Sequence, residues 1–350
     1  MSAPIHIVLA DDSPTARALL GAIFEEAGGF RIIGEAGDGA EAVELAEQLD
    51  PDLIVMDVHM PVLDGIEATR EIMMRSPRPI LIVSSITVRD VDLSLTATQA
   101  GALLALPKPS GPGTPRFGEQ CRDLVEMARA MASVKVVRHW RNVARPAPRS
   151  PVGRTTGGGS DIVALAASTG GPAALRALLD EMPSDFPAPM LLVQHIAHDF
   201  AAGFAEWLGG GSRLRVKLAE RGERLLPGTL YVAPDDRHLG VTSERCADVS
   251  FAPSIGGFRP SADYLFENIG RVYGDRAIAV VLTGMGTDGA DGIEAAHRAG
   301  TFVIAQDEAS SLVFGMARAA IQRGHVDRVV PLDRIASHIL GRVTGACDDE

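Results

Sequence analysis

The 350-residue sequence predicts an α/β protein built from two doubly wound parallel-sheet domains. Two stretches of the chain each alternate short apolar runs with segments of helical periodicity, a pattern typical of parallel sheets covered by helices. A segment rich in arginine, proline and glycine separates the two stretches, and we expect it to be a linker. The length also favours two domains, because single domains typically run about 100–200 residues.

Local signals define the elements of the first domain, which we expect to span residues 1–133. Five short apolar runs predict its strands: Ile5–Ala10, Ile32–Glu35, Leu53–Asp57, Ile80–Ser84 and Leu103–Leu106. Ser13 and Pro14 are residue types that favour an N-cap and a first helical position, and Gly28–Gly29 ends that helix.

The charge pattern marks the expected linker, residues 134–160. No acidic residue occurs between Glu126 and Asp161, whereas that interval holds seven lysines and arginines, several prolines and Gly157–Gly159. This composition predicts a segment that is helical at first and then flexible. On charge alone, a solvated basic tether and a docking segment are about equally compatible with it.

The second domain, expected over residues 161–345, repeats the alternation of strands and helices. Four apolar runs predict buried parallel strands: Ile162–Ala167, Met190–Gln194, Ala277–Leu282 and Thr301–Ala305. Two further runs, Thr229–Ala233 and His238–Thr242, are joined by Pro234–Arg237. This spacing predicts a small β-hairpin.

The bulk composition excludes several classes of protein. The formal net charge of −12 disfavours general nucleic-acid binding, because phosphate contacts need lysine and arginine. Three widely spaced cysteines, Cys121, Cys246 and Cys347, suggest neither a disulfide framework nor a zinc site. No basic leader or long apolar run indicates export or membrane insertion, so we expect a cytoplasmic protein.

Polar side chains follow several predicted strands of the first domain. Asp11 and Asp12 end the first strand and Asp57 the third, while Ser84 ends the fourth and Lys108 follows the fifth. Ligand groups collect at this edge of a parallel sheet. Clustered carboxylates repel one another, so a divalent cation with oxygen ligands is their natural counterion. Asp57 could then attack a phosphorus atom, and the lysine and serine could bind the new phosphoryl oxygens.

This set of residues resembles the receiver domain of two-component response regulators, which has a flavodoxin-like fold. The resemblance covers residues 5–132 and rests on Asp11–Asp12, Asp57, Met60–Pro61, Asp64–Gly65, Ser84 and Lys108–Pro109. One position departs from the family: many receivers place an aromatic switch residue three positions before the lysine, and here it is Ala105.

The receiver resemblance implies specific roles. It implies Mg²⁺ binding by Asp11, Asp12 and Asp57, phosphorylation of Asp57 by a histidine kinase, and phosphate sensing by Ser84 and Lys108. It also implies a cis peptide bond between Lys108 and the proline that follows it.

A second set of residues has the types and positions expected of an active site with a serine nucleophile. Ser168 follows a buried strand and precedes Gly170–Gly171 and a helix expected near Pro172. Glycines permit a tight turn, and a helix start presents free N–H groups to a developing oxyanion. His195 follows the next strand, where it is available as a general base.

Asp288 lies in a glycine-rich loop after a third strand and could orient an imidazole. The same loop supports a rival interpretation, because Gly284, Gly286 and Gly289 form the G-x-G-x-x-G pattern of dinucleotide sites. Asp307 stands near the spacing expected of a ribose-binding acid. Two points oppose this alternative: Asp288 would place a carboxylate in the pyrophosphate loop, and the serine and histidine would stay unexplained.

The wider pattern over residues 161–336 resembles the bacterial chemotaxis protein-glutamate methylesterases and glutaminases. The matching segments occur in that family's order: Ser168–Gly171, Val193–His195, Pro227–Pro234, Arg259–Ser261, Thr283–Gly289, Ala305–Glu308 and Gly315–Met316. The chain departs from the family at Ala197–His198 and at Ala317, where prolines are usual.

The resemblance implies that Ser168 is the nucleophile, His195 the general base and Asp288 the residue that orients it. Thr169 and Met285 correspond to positions that assist the oxyanion or the substrate carbonyl. It implies hydrolysis of glutamyl methyl esters and deamidation of glutamines on chemoreceptors, with no cofactor in the second domain.

Three rival functions stay open at this point. A nicotinamide or flavin enzyme would retain its cofactor, and a non-catalytic adaptor would bind receptors without reacting with an active-serine probe. A DNA-binding regulator would need a basic recognition helix, for which the acidic second half offers no clear candidate. We therefore expect receptors and a kinase as partners, without nucleic acid or direct membrane insertion.

Overall fold

The computed structural model describes residues 3–84, 104–132, 160–196, 198 and 200–345. The chain divides into two compact units, Met1–Ala144 and Arg145–Glu350. Most of the segment that the sequence assigns to a linker, residues 134–160, lies outside the described residues. Each unit contains a parallel sheet with intervening helices, which confirms the predicted fold class.

The first unit has a five-stranded sheet of order β2-β1-β3-β4-β5 in which all neighbours are parallel. This is the flavodoxin-like order, whose carboxyl edge carries ligand sites. The strands are β1 (Ile5–Ala10), β2 (Phe30–Ala36), β3 (Leu53–Met56), β4 (Ile80–Ser84) and β5 (Leu104–Pro107). The described helices are α1 (Pro14–Ala27), α2 (Gly39–Leu49), α3 (Gly65–Arg75) and α4 (Phe117–Ala132).

Side-chain caps begin three of these helices. Ser13 accepts a hydrogen bond from the Ala16 N–H at the start of α1, as its sequence signal predicts. Asp38 and Asp64 cap α2 and α3 in the same way. Each cap satisfies a backbone donor that the first helical turn leaves free, so the chain leaves the sheet edge at a defined residue.

The second unit has a seven-stranded, all-parallel sheet of order β14-β13-β12-β6-β7-β9-β8. Its strands are β6 (Ile162–Ala167), β7 (Met190–Gln194), β8 (Arg215–Leu218), β9 (Thr229–Val232), β12 (Ala277–Val281), β13 (Phe302–Gln306) and β14 (Arg328–Val330). Its helices are α5 (Gly171–Asp180), α6 (Ala201–Gly209), α7 (Ala262–Tyr273), α8 (Ala290–Arg298), α9 (Met316–Gln322) and α10 (Leu332–Thr344).

The unit contains a small hairpin, but its strands are not the predicted pair. The strand β10 (His238–Val241) pairs antiparallel with β11 (Ala247–Ser250), whereas β9 joins the large sheet between β7 and β8. All four residues of β9 are buried, as suits an interior parallel strand. A turn at 242–246, with Arg245 at φ +62°, closes the hairpin instead.

The central strands β6, β7 and β12 are buried throughout. Apolar side chains of these strands pack with those of α7, including Leu265 and Phe266, in one core. This packing holds the carboxyl ends of the three strands side by side. In the described part of the chain, no helix is both long enough and apolar enough to span a membrane.

Candidate active site and phosphoacceptor site

The sheet of the first unit brings its polar strand ends together. The Asp57 N–H donates to the Ala10 carbonyl at 2.8 Å, which places Asp57 beside the end of β1 and Asp11. The Lys108 N–H donates to the Ser84 carbonyl at 2.8 Å, so these two residues are also neighbours. All five predicted residues of this site therefore lie at the same sheet edge.

Lys108 bridges two buried carboxylates. Its Nζ lies 2.7 Å from Asp11 Oδ2 and 2.8 Å from Asp57 Oδ2. Burial raises the pKa of Asp57; Lys108 opposes this change and the Asp11 charge adds to it. Burial disfavours the ammonium, but its hydrogen bonds and charge contacts with both carboxylates raise the pKa of Lys108.

The three acidic residues of this edge fit a hard divalent cation. One ligand oxygen from each of Asp11, Asp12 and Asp57 lies within 4.8 Å of the others. Asp11 and Asp57 are buried and Asp12 is exposed, so a cation held here would remain open to solvent on one side. Oxygen donors of this kind match the preference of Mg²⁺, which usually keeps several waters.

Ser84 lies at the end of β4 with its side chain buried, and its Oγ has no hydrogen-bond partner among the described residues. A hydroxyl in that state is available to an incoming phosphoryl oxygen. The expected cis bond after Lys108 is wrong, because the one cis peptide in the described residues joins Arg259 to Pro260. The trans form is the intrinsically preferred state of an X–Pro bond.

In the second unit, Ser168 stands at the turn between β6 and α5. Its N–H donates to the Thr283 carbonyl at 3.1 Å, and its carbonyl accepts the Gly171 N–H at 2.8 Å. Gly170 adopts φ +79°, a left-handed conformation that glycine reaches without strain. A Cβ on Gly284 would come within 2.8 Å of the Ser168 Cβ, so only glycine lets the two turns approach so closely.

The end of β7 places His195 next to Ser168. The strand register pairs Ala167 with Gln194, and the His195 N–H donates to the Ala167 carbonyl at 3.0 Å. The imidazole is about 10% exposed and stacks on Phe258, with ring centroids 4.2 Å apart. Stacking restricts the ring to one plane.

The imidazole contacts Asp288 directly. His195 Nε2 lies 2.7 Å from Asp288 Oδ2, and the carboxylate is buried. His195 Nδ1 is also buried but has no hydrogen-bond partner among the described residues. Nδ1 is therefore the ring nitrogen that the Asp288 contact leaves open, and among the described residues no hydrogen bond joins it to the Ser168 hydroxyl.

The start of α7 holds the Asp288 carboxylate in place. Oδ1 accepts from Ser261 Oγ at 2.7 Å and from the Asp263 N–H at 3.2 Å, and Oδ2 accepts from the Ala262 N–H at 2.7 Å. Burial alone would raise the pKa of Asp288, but hydrogen bonds from His195 and Ala262 outweigh it and lower the pKa. The free N–H groups and the dipole at a helix N-terminus also favour a negative charge there.

A second carboxyl group lies beside this one. Asp263 accepts a hydrogen bond from the Gly292 N–H at 2.7 Å. Burial and the neighbouring Asp288 charge raise the pKa of Asp263 to about 6. The two carboxyl groups thus differ strongly in their affinity for a proton although they are adjacent.

Among the described residues, two backbone N–H groups near Ser168 have no hydrogen-bond acceptor. Thr169, which is buried, and Met285 each have a backbone N–H that donates to no acceptor in the described part of the chain. The Thr283 Oγ1 donates to the Thr169 carbonyl at 2.9 Å and so fixes that turn. Free N–H groups at such turns suit a developing oxyanion.

Two residues to which the sequence assigned no role of their own join these parts. Gln194 Nε2 donates to the carbonyls of Ser168 and His195, both at 2.9 Å, and so ties the two turns together. A polar residue in an apolar run was a usable signal for it. Ser261 resembles an N-cap in sequence, but only the fold reveals that its hydroxyl meets Asp288.

The geometry disfavours the dinucleotide interpretation. Asp288 lies within the glycine-rich loop and is bonded to His195, so a carboxylate lies where pyrophosphate would bind. Asp307 accepts instead from the N–H and Oγ of Ser310 in its own turn, at 2.9 and 2.6 Å.

Comparison with known proteins finds a family match for each unit. A family model described as CheB methylesterase matches residues 163–339, and one described as response regulator receiver domain matches residues 7–114. The chain belongs to the CheB methylesterase family. The carboxyl-edge geometry described above falls within the two matched ranges.

Full-length relatives support the same assignment. A protein from Myxococcus xanthus named protein-glutamate methylesterase/protein-glutamine glutaminase 4 is 49% identical over 351 residues, covering 98% of each chain. Protein-glutamate methylesterase/protein-glutamine glutaminase 3 of Anaeromyxobacter dehalogenans is 46% identical and covers 96% of this chain and 98% of its own. The crystal structure of the Thermotoga maritima CheB methylesterase catalytic domain matches with a TM-score of 0.51 and 36% identity, covering 52% of this chain and 97% of that domain.

Proposed function

We propose that this CheB family member hydrolyses glutamyl methyl esters and deamidates glutamines on chemoreceptors in the cytoplasm, leaving glutamate in both cases. The observation that carries the proposal is the 2.7 Å contact of His195 with Asp288 beside the Ser168 turn. The names of the full-length relatives suggest glutamate and glutamine side chains of proteins as the substrate. Chemoreceptors are suggested by the resemblance of the sequence to the chemotaxis methylesterases.

The proposed reaction is acyl transfer to water. Ser168 Oγ attacks the side-chain carbonyl while His195 Nδ1 takes the hydroxyl proton, and Asp288 stabilises the imidazolium. The N–H groups of Thr169 and Met285 hold the oxyanion. His195 returns the proton to the departing methoxide or amide, so methanol or ammonia leaves. Water then hydrolyses the acyl-serine ester by the same route, giving glutamate and free Ser168.

Replacement of the nucleophile tests the reaction. In Ser168→Ala we expect methanol release from methylated receptor to fall by at least about 10³-fold, because no hydroxyl remains to form the acyl-enzyme. The exposed Ser184 offers a matched control, and Ser184→Ala should keep wild-type activity. Full activity of Ser168→Ala would refute the assignment.

We further propose that the first unit, as a receiver over residues 1–133, regulates the second through phosphorylation of Asp57 by a histidine kinase. Residues 134–160 would act as the tether, which gives the two domains a high local concentration. Mg²⁺ held by Asp11, Asp12 and Asp57 would neutralise charge on the phosphoryl group. Lys108 and Ser84 would bind the oxygens of the phosphorylated side chain.

An acceptor variant tests this regulation. Asp57→Asn should hydrolyse methylated receptor at the basal rate of the wild type but show no stimulation by a small-molecule phosphodonor with Mg²⁺. Glu44→Gln, an exposed substitution on α2, should respond to the donor as the wild type does. Stimulation of Asp57→Asn by the donor would contradict the proposal.

A further inference from the structure

We propose that His238 is a positioning residue for the triad: as a neutral imidazole it fixes Ser261, which in turn orients the Asp288 carboxylate. This inference rests on the proposed function, because its readout is the hydrolysis by Ser168.

The hydrogen bonds of His238 define its protonation state. The side chain is fully buried at the start of β10. Its Nδ1 lies 3.3 Å from the Ser261 N–H, which can only donate, and its Nε2 lies 3.0 Å from the Pro253 carbonyl oxygen, which can only accept. Nδ1 is therefore unprotonated and Nε2 carries the hydrogen, so the neutral tautomer is the one that satisfies both partners.

Aromatic packing fixes the plane of this ring. His238 stacks on Tyr264 of α7 with ring centroids 4.6 Å apart and an interplanar angle of 21°. The Tyr264 N–H donates to Ser261 Oγ at 3.4 Å, as at a helix N-cap. His238 thus gives the hairpin one hydrogen bond and one stacking contact with the first turn of α7, and the Tyr264 hydroxyl adds a bond to Asp248 of β11 at 3.4 Å.

Ser261 transmits this constraint to the carboxylate. Its Oγ donates to Asp288 Oδ1 at 2.7 Å, while Oδ2 faces His195 Nε2 at 2.7 Å. Without the bond from Ser261 to His238, the backbone of Ser261 is held less firmly, and Asp288 loses part of the constraint on its orientation toward the base. Among the described residues, His238 makes its hydrogen bonds and its ring contact with Pro253, Ser261 and Tyr264, and not with Ser168 or His195, so we expect its effect on catalysis to pass through Asp288.

Two amide substitutions separate the two ring nitrogens. Asn places its carbonyl oxygen near the position of Nδ1 and can still accept from Ser261, whereas the longer Gln reaches the position of Nε2 and loses that acceptor. We expect His238→Gln to lower kcat about 10-fold with little change in KM, and His238→Asn to restore most of the loss. His325→Gln, the same change at a remote half-buried histidine, should retain wild-type kcat.

A pH profile distinguishes positioning from general support of the fold. A loosened Asp288 stabilises the His195 imidazolium less, so the acidic limb of kcat/KM should move to lower pH in His238→Gln. Asp288 is the carboxylate that contacts the imidazole, and Asp263 lies next to it. A residue that supports only the fold would lower the unfolding temperature and leave this limb in place.

Ser261→Ala completes the test and keeps it usable if His238→Gln does not fold. This variant removes the hydroxyl that bonds Asp288 but retains the N–H that bonds His238, and its kcat should also fall about 10-fold. In the double variant the two losses should not multiply, because both act on the same carboxylate.

Multiplicative losses, an unchanged kcat in Ser261→Ala, or equal damage from His238→Asn and His238→Gln would overturn the inference. A folded His238→Gln with wild-type kcat would also overturn it. Wild-type protein without any methanol release would instead refute the proposed function itself, so the two failures are distinguishable.

Discussion

The two units each place a carboxylate at the carboxyl edge of a parallel sheet, and the pKa values of the two carboxyl groups shift in opposite directions. In the first unit, burial raises the pKa of Asp57 despite the contact with Lys108. In the second, burial opposes the change, but hydrogen bonds from His195 and the start of α7 lower the pKa of Asp288. The direction of the pKa shift therefore depends on the balance between burial and hydrogen-bond donors, and not on the sheet edge alone.

The number of fixed donors accounts for the difference. Asp57 accepts from the Val58 N–H and from the mobile ammonium of Lys108. Asp288 accepts from four donors: Ser261, Ala262 and Asp263 belong to one helix start, and His195 directly follows β7. A sparsely bonded carboxylate suits an exchangeable cation or phosphoryl group, whereas a saturated one suits permanent orientation of an imidazole.

The largest expected effect is the loss of that orientation in Asp288→Asn. An amide NH₂ must face at least one of the donors that now surround the carboxylate, and it stabilises no imidazolium. We expect methanol release to fall about 10³–10⁴-fold. Asp291→Asn, an exposed change three residues further on, should leave the rate unchanged. A loss below about tenfold would contradict the contrast drawn between Asp57 and Asp288, because the fully hydrogen-bonded Asp288 carboxylate would then have no orienting role.

An effect of intermediate size is expected on the stability of the first unit when Gly65, which contacts the backbone of Asp57, is replaced. A Cβ on Gly65 would approach the Asp57 carbonyl oxygen to 2.0 Å, so Gly65→Ala must displace the backbone at Asp57, the proposed phosphoacceptor. We expect a loss of about 1–3 kcal/mol in the free energy of unfolding of this unit, together with slower phosphorylation. Denaturant unfolding and a phosphorylation assay measure these quantities.

Gly111→Ala supplies the control, because a Cβ there meets no atom within 4 Å. Equal stability of the two glycine variants would indicate that the Asp57 strand end tolerates displacement. The difference between the loosely held Asp57 and the tightly held Asp288 would then apply to the backbone of these residues as well as to their carboxylates.

The smallest expected effect concerns pH. The pKa of Asp263 is raised from 3.8 to about 6, so the folded protein retains a proton that the unfolded chain releases in this interval. The stabilisation from this group is therefore present below about pH 4 and is lost as the pH rises to about 6. Asp263→Asn has no such loss, and its amide oxygen can keep the bond to Gly292.

Thermal unfolding between pH 4 and pH 8 measures this difference. We expect Asp263→Asn to unfold a few degrees above the wild type at pH 8, with the two converging toward pH 4. The exposed Asp185→Asn should follow the wild type across the range. Parallel curves for Asp263→Asn and the wild type would show that ionisation of Asp263 beside Asp288 does not destabilise the folded protein.

Much of this molecule follows from local sequence. Apolar runs predict most of the strands, and the N-cap at Ser13 needs only neighbouring residues. Two predictions fail for different physical reasons. The pairing of β9 depends on its distant neighbours β7 and β8, whereas the bond after Lys108 keeps the trans form that an X–Pro bond prefers intrinsically.

Local sequence predicts which residue types follow each strand, and hence the candidates Asp57, Ser168, His195 and Asp288. The folded chain adds which nitrogen of His195 meets Asp288, and that Ser261 bonds the carboxylate from 27 positions away. Periodicity and caps act over a few residues, whereas the direction of a hydrogen bond depends on groups that folding alone brings together.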